Sequence, residues 1–147
     1  MQTTWVIAAD ASRARIFEMS DRDDSFREIE DLLNPEGREL DHELGRDQQG
    51  SYSGKGERFM THTNEPDATP KEHEVELFSK RLGRLLDQAR NEHRFDKLRL
   101  IAPPKFLGLI RQELSKEAKQ MVEEEIPKDI AWFEGRDVAR YVRERGH

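Results

Sequence analysis

Cysteine is absent from the 147 residues. Its absence removes disulfide staples, thiolate nucleophiles and thiolate zinc sites together. No apolar run approaches the roughly 20 residues of a membrane-spanning helix. The longest clean run, Trp5 to Ala9, is too short for the core of a secretion leader, and Gln2-Thr3-Thr4 before it brings no basic residue. No membrane partner is therefore expected, and the expected compartment is the cytoplasm. A large surplus of one charge is missing too: 31 acidic residues face 25 basic ones, for a formal net charge of −6. With 38% charged and 34% hydrophobic residues the chain is very polar. The near balance of signs nevertheless argues against disorder of the high-net-charge kind. A mild acidic surplus argues against indiscriminate nucleic-acid binding and leaves room for a local basic patch.

What is present reads as one domain over residues 1–147. Thr4 to Ala9 is apolar on both faces, as in a central strand covered on both sides. Asp10-Ala11-Ser12 is turn chemistry, with short side chains that bond nearby backbone. Arg13 to Met19 and Phe26 to Leu33 follow as a second and a third strand, and the short connections make an antiparallel meander. Residues 34–70 hold no sustained period and read as a long polar loop. Thr69, Pro70 and Glu72 have the spacing of a capping box that opens a helix, with Val75, Phe78, Leu82, Leu85, Leu86 and Ala89 as its apolar stripe. Lys97 to Ala102 is a fourth strand, ended by Pro103-Pro104; Phe106 to Leu114 is a second helix, continued after Ser115 by a short third. Met121 to Ile126 suits a fifth strand, and Gly135 to Arg145 a closing helix. This order predicts an α/β fold: a mixed five-stranded sheet, an antiparallel meander then parallel β-α-β units, helices on both faces, ribonuclease H-like.

Enzyme signals are sparse. A two-metal nuclease needs several carboxylates converging on two magnesium ions. Asp10 ends the first strand suitably, but the fourth ends in Ala102-Pro103-Pro104 and supplies none. None of the five histidines has the spacing of a helical zinc site. Gly50 to Lys55 is followed by Gly56 and so departs from the phosphate-loop pattern, while Ser51 and Ser53 lack an assignable base. No cofactor, metal site or catalytic residue is expected. The loop does carry Arg46, Lys55 and Arg58 among glycines and amides, a composition suited to phosphate and sugar contacts. Tyr52 and Phe59 could stack on unpaired bases, whereas Asp47 and Glu57 partly cancel the field. The plainer reading is a loop kept soluble by its charges.

The segments Trp5 to Phe17, Gly45 to Arg58, Phe95 to Arg111 and Glu125 to Ile130 together resemble the bacterial family of host attachment proteins. That family is similar in fold to the middle domain of archaeal and eukaryotic class 1 release factors. There, a loop between the third strand and the first helix carries Gly-Gly-Gln into the ribosome. The corresponding stretch here is Asp47-Gln48-Gln49-Gly50, without the paired glycines. What the resemblance implies is a non-catalytic binding protein linked to translation, contacting the ribosome or transfer RNA through residues 45–58. The alternatives are a protein-interaction module connected with host attachment, and a magnesium-dependent hydrolase. The expected contact residues are Asp10 and Arg13 at the first turn, and Arg46, Ser51, Ser53, Lys55 and Arg58 in the loop. Lys105 at the second helix and Lys128 with Asp129 after the fifth strand complete the set. Strand ends at switch points are where open sheets place ligands.

Overall fold

Trp5 to Asp10 are buried without a break, which only a central strand covered on both faces allows. The computed structural model, which describes residues 2–22, 24–37 and 69–145, puts this strand, β1 (Thr3–Asp10), in the middle of a five-stranded sheet. It pairs antiparallel with β2 (Arg13–Ser20) and parallel with β4 (Lys97–Ile101). β2 pairs antiparallel with β3 (Phe26–Leu33), and β4 pairs parallel with β5 (Val122–Ile126). The order is β3-β2-β1-β4-β5, so β2 alone runs against the others. This is the ribonuclease H-like arrangement that the sequence predicts.

The pleat of β1 sorts two cores, because successive side chains point to opposite faces. Trp5 and Ile7 join Ile16, Leu98 and Leu100 beneath α1 (Pro70–Asn91), α2 (Pro104–Glu113) and α3 (Lys116–Gln120). Val6 and Ala8 join Phe17, Ile101 and Ile126 beneath α4 (Gly135–Glu144), which contributes Val138 and Val142. Full burial of a side chain such as Leu82 or Leu86 contributes roughly 1.5–3 kcal/mol. The capping box at the start of α1 is present: Glu72 N donates to Thr69 Oγ1 at 3.1 Å, and Thr69 N to Glu72 Oε1 at 2.9 Å. At the other end His93 takes a left-handed φ of 58°, and Arg94 N donates to Ala89 O at 2.9 Å. A Cβ on Gly83 would lie 2.8 Å from Glu113 O, so glycine lets α1 and α2 approach closely.

β1, β3, β4 and β5 all point the same way, so Asp10, Leu33, Ile101 and Ile126 end on one edge of the sheet, its carboxyl edge. Along the expected 34–70 loop, residues 35–37 form a short helical turn and Thr69 already caps α1. The remainder, 38–68, lies outside the described residues. Met121 is the C-cap of α3, and the fifth strand starts one residue later than expected.

Candidate functional site

Asp10, the last residue of β1, is buried, and both its carboxylate oxygens accept from protein donors. Oδ1 accepts from Ser12 N at 2.8 Å and from Ser12 Oγ at 2.9 Å, which is the local turn bonding that Asp-x-Ser favours. Oδ2 accepts from the indole Nε1 of Trp132 at 3.0 Å. Trp132 belongs to the loop between β5 and α4, and its ring lies 4.5 Å from the guanidinium carbon of Arg13. Arg13 is in turn fixed by a two-pronged bond to Asp31 on β3, 2.9 Å from Nε and 2.8 Å from Nη2. That bond holds the Asp31 carboxyl below the ordinary carboxylate range and keeps Arg13 more firmly protonated.

The loop carrying Trp132 is clamped from beneath. Arg15, two residues along β2 from Arg13 and therefore on the same face, is 4% exposed. Its Nη1 donates to the carbonyls of Ala131 and Phe133, and its Nε and Nη2 grip Glu28 at 3.0 and 2.9 Å. A buried guanidinium thus uses its fork on one carboxylate and two carbonyls, which leaves Trp132 and Phe133 outward at 46% and 44% exposure. Leu33, the strand partner of Arg13, is 55% exposed on the same face.

The exit from β3 is packed on the same corner. Asn34 N donates to Ser12 O at 2.8 Å, and Asn34 Nδ2 to Ala11 O at 3.0 Å. A Cβ on Gly37 would fall 1.8 Å from Ala11 O, so no other residue fits there without backbone movement. The chain therefore leaves for residues 38–68 directly beside the Asp10 turn.

Of the expected contact residues, Asp10 and Arg13 come together around Trp132. Asp129 lies near enough that the Asp10 charge, after burial, is the second cause raising its pKa. Lys105 is exposed at the start of α2 and Lys128 is exposed after β5, both at the carboxyl edge. Arg46, Ser51, Ser53, Lys55 and Arg58 lie outside the described residues. Sequence reasoning passes over Trp132, Arg15, Asp31 and Asn34. The one available signal is Trp132-Phe133 itself, two large aromatics inside a polar connection.

Among the described residues, few of the carboxylates that a magnesium pair of the ribonuclease H kind needs stand at this corner. Both Asp10 oxygens already accept from protein donors, and the neighbouring β4 ends in Ile101-Ala102-Pro103 without a carboxylate. Among the described residues no three histidine, aspartate or glutamate side chains are grouped to hold a metal ion.

Solved structures with a similar chain path include an archaeal translation termination factor, aRF1. The identity is 13%, with 97% of this chain and 37% of that one covered, at a TM-score of 0.45. Another is the Ppx/GppA phosphatase of Aquifex aeolicus, at 12% identity, covering 86% of this chain and 36% of that one, with a TM-score of 0.43. The chain spans little more than a third of either structure, and at these scores neither lends it a function. No curated protein matches the sequence. Residues 5–142 match the family described as proteins required for attachment to host cells, and the chain belongs to that family.

Proposed function

We propose that this protein is a binding module that contacts ribosomal or transfer RNA through residues 45–58, with the carboxyl edge of its sheet as the platform. The observation that carries this reading is where the chain departs. Asn34 and Gly37 fasten the exit of β3 to the Asp10 turn, and the Thr69 capping box opens α1 on the return. The intervening segment carries Arg46, Lys55 and Arg58, whose guanidinium forks and ammonium suit phosphate oxygens. Lys105 and Lys128 add positive charge on the same edge. The choice of the ribosome as target rests on the family resemblance read from the sequence, in which that segment stands between the third strand and the first long helix.

A second reading is favoured by a different observation. Trp132 lies against the Arg13 guanidinium, Leu33 and Phe133 are exposed as well, and tryptophan and arginine are among the residues that most often anchor protein interfaces. On this reading the edge docks a protein partner and the link to host attachment is indirect.

Ribosome co-sedimentation separates the two. The wild type should pellet with ribosomes at low salt and less at moderate salt, and the Arg46→Ala/Lys55→Ala/Arg58→Ala variant should stay in the supernatant. Absence of both from the pellet at low salt overturns the RNA reading. Loss of a captured protein on Trp132→Ala, with ribosomal fractions empty, supports the second.

A further inference from the structure

The opposite edge of the sheet, where β1 and β4 begin and β2 ends, holds a cavity of about 430 Å3. Its floor is apolar, from Met19, Phe26 and Val142. Thr4, Ser20 and Lys97 line its polar side. Projecting from β4 on the α4 face, Arg99 lines it too, with a side chain only 10% exposed.

Arg99 is incompletely bonded for a buried cation. Its Nε donates to Glu123 Oε2 at 2.7 Å, and among the described residues this is the one hydrogen bond of its side chain. The register neighbour that could have met the rest of the fork, Glu124, is taken by Arg145 at 2.6 Å. A guanidinium does not shed its proton to escape burial, so its Nη donors need an acceptor. Three acids also line the cavity: Asp21, whose Oδ1 accepts from Gln2 N at 3.0 Å, Glu123, which also faces Lys97 at 3.5 Å, and Asp24. Arg143 at the rim donates to Asp24 O at 2.7 Å, and its guanidinium stands 6.0 Å from the Phe26 ring. The volume exceeds what a few waters need and falls within the range of small-molecule sites.

We propose that this cavity binds a small organic oxyanion. A carboxylate or phosphate head would accept from the Nη edge of Arg99, with Lys97 adding charge, and a short apolar body would lie against Phe26 and Met19. The end of a guanidinium offers two parallel N–H groups at the spacing of two oxygens on one head group. This site is at the far end of the sheet from the Asp10 corner and stands independently of the RNA reading.

Titration of the isotopically labelled full chain tests it, by amide proton–nitrogen correlation spectra with hexanoate, hexyl phosphate, inorganic phosphate and hexanol. Hexanoate or hexyl phosphate should shift the amides of Thr4, Ser20, Phe26 and Lys97 saturably, and hexanol should bind at least about tenfold more weakly. The tighter of the two anions identifies the head group, and weak binding of inorganic phosphate shows the contribution of the apolar body. Arg99→Gln should weaken the preferred anion about tenfold or more, and Arg99→Lys, which keeps the charge beside Glu123 but loses the fork, should weaken it too. Equal binding of hexanol and hexanoate in the wild type overturns the proposal, whether or not the variants fold. So does wild-type affinity in both folded variants, or the absence of any shift at these amides at millimolar anion.

Discussion

The indole N–H of Trp132 donates to the Asp10 carboxylate at 3.0 Å, across 122 residues of sequence. This bond fastens the loop after β5 to the turn after β1, and the Arg13 guanidinium lies against the same ring. The corner is an interlocked set in which each polar group of Asp10 has a partner.

Asp10→Ala should therefore unfasten the corner. It strips acceptors from the Ser12 and Trp132 donors, at a cost of roughly 2 kcal/mol. Urea unfolding should show the loss, and the tryptophan emission of the folded variant should move to the red as Trp132 gains solvent. An unchanged spectrum together with unchanged stability would contradict the bonding described.

Gly37→Ala tests the exit of β3. With its Cβ placed 1.8 Å from Ala11 O, the backbone must move, at a cost of at least about 2 kcal/mol. The amides of Ser12 and Asn34 should lose hydrogen-exchange protection before those of α1 do.

His93→Gly should act in the opposite direction. The left-handed φ of 58° after α1 is costly for a side chain and free for glycine. A gain of about 0.5–1 kcal/mol in thermal or urea unfolding is expected.

Acid should reveal two opposed carboxylates. The hydrogen bond from Arg13 depresses the folded pKa of Asp31. Its stabilisation is therefore complete above the unfolded aspartate value of about 3.9 and is lost as pH falls through the folded value. Burial, then the charge of Asp10, raises the folded pKa of Asp129. Ionised Asp129 thus costs stability, and that cost is relieved as pH falls from neutral through its raised value. Urea midpoints measured from about pH 7 to pH 3 should show the relief abolished by Asp129→Asn and the acid loss made shallower by Asp31→Asn.

The sequence carries local chemistry well and long-range chemistry poorly. The Thr69–Glu72 box and the Asp10–Ser12 turn are legible because donor and acceptor lie within three residues of each other. The central place of β1 is legible because both its faces are apolar. Trp132 is not legible as a partner of Asp10, since nothing local marks which residue of a later loop folds back. Nothing in the residues next to Arg15 or Arg99 in sequence marks either for burial. The sheet buries both, and only the assembled fold supplies the carbonyls and the cavity they face.

The salt dependence of ribosome affinity tests the central claim most directly. If Arg46, Lys55 and Arg58 contact phosphates, those contacts release counterions, and log affinity should fall linearly with log salt at about −0.7 to −0.9 per contact. The triple alanine variant should bind more weakly, with a slope shallower by roughly 2–3. Equal slopes and affinities for the two proteins, or no measurable affinity for the wild type at low salt, would contradict RNA contact through residues 45–58.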